Sequence, residues 1–188
     1  CEICEDLWAA QTPSTAHCLA GATVIVNLSA SNETVGKDAY RRQLVEATSA
    51  RLVTGYVYAS AGDGESTQDL VFGGHNLIAE NGVLLSEAKR FENQTIYADL
   101  DIYRLRHERR RMNTFPAPEK EGYLIIPVHI KREELSLQRC FPTQPFVPSD
   151  EGKKNRRCEE ILSIKTHGLK KRLEHTKSRC AVNGNSGG

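Results

Sequence analysis

The chain has 188 residues, 39% of them hydrophobic, and its 25 basic and 24 acidic side chains leave a formal charge of +1. That length and apolar content suffice for one sizeable core and part of a second. A near-zero net charge gives no global field to recruit nucleic acid or anionic lipid, and no apolar run approaches the ~20 residues that a bilayer-spanning helix needs.

The first eight residues, Cys1-Glu2-Ile3-Cys4-Glu5-Asp6-Leu7-Trp8, read as a short strand that delivers a thiol into an acidic, aromatic turn. The six cysteines are scattered over the whole length, which fits reduced thiols better than a disulfide framework. Cys1-x-x-Cys4 has zinc-like spacing, but a tetrahedral site needs a second ligand pair and none sits at suitable spacing, so no metal is expected. A cysteine attacks carbonyl carbon as thiolate, beside a base or cation and away from bulk water. Cys4, between an apolar residue and Glu5-Asp6, has the form of an elbow at a strand end; spacing alone favours a buried structural cysteine over a catalytic one.

Further along, 23–28 is a buried-strand run. Residues 29–34 supply turn and cap chemistry, and 37–53 reads as a helix with Tyr40, Leu44, Thr48 and Leu52 on one stripe, closed by Gly55. A second strand covers 55–59 and a glycine-rich loop follows at 61–67. The dipeptide Asn81-Gly82 reaches positive φ easily and predicts a tight hairpin between strands at 76–79 and 83–85. Five arginines and His107 fall in a predicted helix at 104–111; without interleaved aromatics this reads as a solvated face or subunit contact, not a nucleic-acid surface. All but one of the seven prolines lie between 114 and 148, which predicts an extended arm. A helix follows at 156–176 with Cys158, Leu162, Leu169 and Leu173 on one side, and then a short strand at 180–182.

The segments Ile3-Cys4-Glu5-Asp6-Leu7-Trp8, Val26-Asn27-Leu28-Ser29-Ala30-Ser31, Glu33-Thr34-Val35-Gly36-Lys37, Ser49-Ala50-Arg51 and Gly64-Glu65-Ser66-Thr67-Gln68-Asp69-Leu70 resemble the amidase domain of glutamine-dependent NAD synthetases, a branch of the nitrilase superfamily. Arg157-Cys158-Glu159-Glu160-Ile161, Arg172-Leu173-Glu174-His175 and Ser186-Gly187-Gly188 resemble the entry into the synthetase domain of the same family.

The resemblance implies an α/β chain: the second half of a nitrilase-like four-layer α-β-β-α sandwich at 1–110, a linker arm at 111–150, and the first helix and strand of an α/β nucleotide-binding domain at 151–188. The chain opens without methionine and closes on a glycine loop, so an internal piece of a longer polypeptide is expected. By the resemblance Cys4 is the glutaminase nucleophile, Ser31 and Lys37 bind glutamine, and Gly184, Ser186, Gly187 and Gly188 begin the pyrophosphate loop for ATP. The family uses arginine at the Lys37 position, and lysine keeps the charge without bidentate geometry. Its glutamate base and lysine lie N-terminal to the nucleophile. The implied substrates are glutamine, deamido-NAD and ATP with magnesium, with no tightly bound cofactor, no nucleic acid and no membrane. A cytoplasmic homo-oligomer is implied for the full-length enzyme. The alternatives are a stand-alone amidase and a non-catalytic scaffold of the same fold.

Overall fold

The computed structural model describes residues 1–65, 68–131, 134, 136–141, 143–148, 150–180, 182 and 184. The chain divides into two compact units, Cys1–Arg139 and Cys140–Gly188.

The first unit is built on a five-stranded sheet in the order β1 (Glu2–Ile3), β2 (Val24–Ser29), β3 (Gly55–Ser60), β4 (Leu77–Glu80) and β5 (Val83–Glu87). The first three strands are parallel and the last two pairings antiparallel. The parallel steps need crossovers, supplied by the helices α1 (Pro13–Leu19) and α2 (Lys37–Leu52). Residue alternation sorts the sheet into two faces. Ile25, Tyr56 and Ala79 form one row across it, and Glu2, Asn27, Tyr58 and Leu77 the next. These side chains are buried, and with Leu7, Cys18, Val45 and Leu52 the apolar ones make the core. On the opposite face Ile3 and Leu28 are 67% and 57% exposed.

The strands expected at 23–28 and 55–59 are present as β2 and β3, and the 37–53 helix as α2. Two details differ. The buried side of α2 carries Arg41, Val45, Thr48, Ser49 and Leu52, while Tyr40 of the expected stripe is exposed. The reason is that a buried arginine finds partners on neighbouring elements, which periodicity cannot register. Nor does Gly55 close the helix: Val53 takes the left-handed conformation at φ 46°, and the Val53 and Thr54 amides donate to Ala50 and Ser49. Gly55 is already the first residue of β3.

The Asn81-Gly82 turn joins β4 and β5 with φ of 47° and 82°, the double left-handed geometry of a two-residue hairpin loop. A Cβ on Gly82 would lie 2.8 Å from Ala50 Cβ. Gly82→Ala is therefore expected to destabilise the protein by more than the ~1–2 kcal/mol of a Cβ at positive φ. Gly36→Ala isolates that backbone cost, since Gly36 sits at φ 80° with nothing within 4 Å. Urea unfolding of both variants checks the difference; equal losses would refute the close-contact argument.

The helix α3 (Ile102–Arg111) coincides with the arginine-rich segment. Its Arg109 is buried and donates from Nε and Nη2 to the carbonyls of Val53 and Leu52, both at 3.0 Å. Those carbonyls end α2 without intrahelical partners, so α3 acts as a cap. Within the first unit, the chain beyond α3 packs back on α1: the Glu119 amide donates to the Leu19 carbonyl, and the Tyr123 hydroxyl meets His17 Nδ1 at 2.9 Å. Arg139 grips both carboxylate oxygens of Glu80 at 2.8 and 3.0 Å.

The second unit contains α4 (Glu151–Thr176), which Asp150 caps by accepting from the Lys153 amide. Its expected apolar side is not covered: Leu162 and Leu169 are 65% and 53% exposed. Cys180 and Val182 carry no strand pairing, and Ala181 between them lies outside the described residues.

Candidate functional site

Cys4 follows directly on β1 and begins a turn of 3-10 helix, Cys4–Trp8. Its backbone sits at φ 45°, a left-handed conformation that costs a side-chain-bearing residue about 1–2 kcal/mol and recurs at functional elbows. One local and one long-range hydrogen bond hold the turn: the Ile3 amide donates to Asp6 Oδ2 at 2.8 Å, and the Cys4 amide to Asn27 Oδ1 of β2 at 3.1 Å.

The sulfur terminates a run of hydroxyl donors. Tyr58 donates to Ser29 Oγ at 2.6 Å, and Ser29 donates to Cys4 Sγ at 3.4 Å. Burial pushes the Tyr58 phenol up, against the pull of its Ser29 bond, the Arg41 charge and a Ser31 bond, so the group stays a donor at neutral pH. Around Cys4 an open cleft of about 470 Å³ is lined by Ile3, Leu28, Ser29, Ala59, Ser60 and Glu65 among others.

Beneath the elbow, Glu2 is buried. Its carboxylate accepts from the Ser14 amide at 2.5 Å, at the start of α1, and from Tyr56 at 2.7 Å. Burial, and then the bond to Glu2, push the Tyr56 phenol far above its ordinary value. Asn27 Nδ2 reaches the Tyr56 oxygen at 3.3 Å and the Cys4 carbonyl at 3.5 Å.

Ser31, 5% exposed, is close enough to Tyr58 to oppose the upward push of burial on its phenol. Lys37 opens α2; its Nζ donates to Asn32 Oδ1 at 2.9 Å and stands 5.1 Å over the Trp8 ring. Trp8 in turn packs on Tyr40, with ring centroids 5.6 Å apart. Lys37 thus meets the last residue of the turn that Cys4 begins, while neither Ser31 nor Lys37 is among the residues lining the Cys4 cleft. Gly184 has nothing within 4 Å of its would-be Cβ, and Ser186, Gly187 and Gly188 lie outside the described residues.

Sequence reasoning assigned no role to Ser29, Asn27, Tyr56, Tyr58 or Glu2. A signal existed: polar residues at alternate positions of a run otherwise built of Val, Ile and Leu mark a buried face with a polar purpose.

A larger cleft of about 610 Å³ lies beside α3, with Cys18, Arg109 and Phe115 in its wall. Cys18 is no rival nucleophile, because burial pushes its thiol up despite the neighbouring Arg109 charge and thiolate is the reactive form. Among the described residues no group of three or more His, Cys, Asp or Glu side chains is arranged to hold a metal ion. No helix among them is long and apolar enough to cross a membrane.

No family model matches the chain. It is 40% identical over 198 residues to the glutamine-dependent NAD(+) synthetase of Mycobacterium leprae (strain TN), a match covering 100% of the chain and 29% of that relative. The protein of the same description from Thermotoga maritima is 30% identical over 154 residues, 71% of this chain and 26% of the relative. The chain therefore spans under a third of the length of these relatives. Among solved structures, Saccharomyces cerevisiae Nit3, a member of branch 10 of the nitrilase superfamily, aligns with a TM-score of 0.50 at 22% identity, covering 61% of this chain and 41% of that one. That likeness shows a shared α/β fold.

Proposed function

Over the stretch it spans, the chain belongs to the family of glutamine-dependent NAD(+) synthetases, and from that premise we propose that Cys4 is the nucleophile of a glutamine-hydrolysing centre. The observation that carries this reading is the elbow itself. A cysteine is held at positive φ at the end of a parallel strand, lines an open cleft and takes at its sulfur the last hydroxyl of a donor chain. A buried structural cysteine needs neither the strained backbone nor the cleft.

The sulfur attacks the side-chain carboxamide carbon of glutamine and forms a tetrahedral oxyanion. Collapse of that oxyanion breaks the carbon–nitrogen bond, and the nitrogen leaves as ammonia after taking up a proton. Water then adds to the remaining thioester and releases glutamate, returning the sulfur to its starting state. The oxyanion requires fixed donors. The proton transfers require a base, assigned by the family resemblance to a glutamate N-terminal to Cys4 with its lysine partner. Glutamine is a zwitterion, so its α-carboxylate needs a cation and its α-amine an acceptor. Lys37, held beside the elbow on Trp8, fits the first task, and Ser31 the second.

For the whole protein, the ammonia is delivered to ATP-activated deamido-NAD in a second domain that residues 151–188 begin, with ATP at Gly184, Ser186, Gly187 and Gly188. The exposed sheet face at Ile3 and Leu28, which also lines the Cys4 cleft, suits a second sheet of a four-layer sandwich that would border that cleft, since exposed strand faces of this kind are covered in stable proteins. Cytoplasmic location and a homo-oligomeric state belong to this same reading.

A glutamine-shaped diazoketone, offered to the full-length protein, tests the site. The expected adduct maps to Cys4 by peptide mass, with glutamine protecting against it. Labelling at Cys18 in place of Cys4, or no protection by glutamine, would overturn the assignment.

A further inference from the structure

Three linked, buried side chains that are not among the cleft's lining residues end on the backbone of Cys4 through one of them, Asn27. Asn27 is wholly buried in the row that also contains Glu2 and Tyr58. Its amide faces both polar groups of the Cys4 main chain: Oδ1 accepts from the Cys4 N–H at 3.1 Å, and Nδ2 reaches the Cys4 carbonyl at 3.5 Å. A side-chain amide has two chemically distinct ends, so it does this in one orientation only. That orientation is reinforced from the far side by the Tyr56 oxygen at 3.3 Å from Nδ2. That oxygen has given its own proton to Glu2 at 2.7 Å and so is left to accept. Glu2 accepts from the Ser14 amide on its other oxygen, and the Tyr56 proton directed at it gives the remaining bonds of this chain their direction.

We propose that Asn27 is a positioning residue for Cys4, and that the Glu2–Tyr56 pair reinforces the orientation of its amide so that the nucleophile is held at its left-handed elbow. This rests on the reading of Cys4 as the nucleophile. The free Cys4 backbone would relax out of a conformation costing about 1–2 kcal/mol; the two-ended clasp offsets that cost. A fixed elbow keeps the sulfur at attack distance from the substrate carbon, and small displacements there are expensive in rate. The Cys4 N–H is engaged by Asn27, so the oxyanion donor at the elbow must be another group.

The test uses the full-length protein with Asn27→Ala, Tyr56→Phe and the double variant, read as ammonia release from glutamine. Asn27→Ala is expected to lower kcat by ~100-fold and Tyr56→Phe by ~10-fold, with KM for glutamine changed less than ~2-fold, as for lost positioning without lost binding. Because both act through one amide, the double variant is expected to match Asn27→Ala alone, whereas independent structural damage would multiply. The rate at which iodoacetamide alkylates Cys4, mapped by peptide mass, should change in the same order. NAD formation from added ammonia serves as a folding control. Unchanged kcat in both single variants, or effects that multiply in the double, would overturn the proposal. Retention of glutamine hydrolysis by Cys4→Ala would instead sink the nucleophile assignment on which it stands.

Discussion

Cys4→Ala in the full-length protein is expected to lower glutamine-dependent ammonia release by about four orders of magnitude or more, the scale on which loss of a covalent nucleophile acts. No neighbouring group can replace the sulfur. Ser29 Oγ, 3.4 Å away, is the nearest candidate, but it already donates to the sulfur and accepts from Tyr58. Cys18 is buried in the core with its thiol pushed up, and Cys1 lies at the far end of β1 from the elbow. Cys4→Ser is expected to be nearly as inactive, since a hydroxyl is a far weaker nucleophile than a thiolate and its shorter bond to carbon withdraws the attacking atom from the cleft. Ammonia assay at saturating glutamine measures the loss, and NAD formation from added ammonia controls for folding. Turnover within tenfold of the parent in the alanine variant would reject the nucleophile.

The second large effect concerns stability. Arg41 is wholly buried in α2; its Nη1 pairs with Glu33 at 2.7 Å and meets His75 Nδ1 at 3.0 Å. A guanidinium only donates, so Nδ1 accepts and the His75 proton lies on Nε2, directed at Glu87 Oε1 2.8 Å away. Arg90 lies 3.6 Å from the other oxygen of Glu33, too long for a hydrogen bond. The Nε and Nη2 atoms of Arg41 are buried and have no hydrogen-bond partner among the described residues. Such an arrangement does not gain stability from its charges as such, because burying them costs nearly what their attraction returns.

Breaking the pair is another matter. Arg41→Met leaves the Glu33 carboxylate, 6% exposed, without its closest cation, and a loss of about 3–5 kcal/mol is expected. Arg41→Met with Glu33→Leu removes both charges and should recover much of that loss. Urea unfolding of the full-length variants separates the cases. A single-variant cost below about 1 kcal/mol, or a double variant less stable than the single, would contradict the buried-pair account. Arg41 also stands 6.0 Å from the Tyr58 ring, so the same substitution removes a support from the donor chain that ends on Cys4.

Much of the architecture was legible before any coordinates. β2 and β3 follow from short runs of β-branched and aromatic residues, the β4–β5 hairpin from Asn81-Gly82, and α2 and α3 from residue pattern within a residue or two. The elbow at Cys4 was legible as a thiol between an apolar strand residue and two carboxylates. The helix α1 went unread, because Pro13-Ser14-Thr15 resembles a turn; Pro at the first helical position and the Glu2 carboxylate on the Ser14 amide make it a helix start.

What the amino-acid order determined by itself is whatever depends on neighbours in the chain: strand and helix runs, the left-handed turn at Asn81-Gly82, and the motifs that place the chain in its family. Only the tertiary structure decided which side of α2 is buried and why Arg41 can lie there, why Val53 and not Gly55 ends that helix, and which side chains hold Cys4. The reason is the same in each case. A buried polar group is tolerated only where its partners meet it, and Glu2, Asn27 and Tyr56, like Arg41, Glu33 and His75, are brought together by sheet register and helix packing across stretches of chain that no local pattern spans.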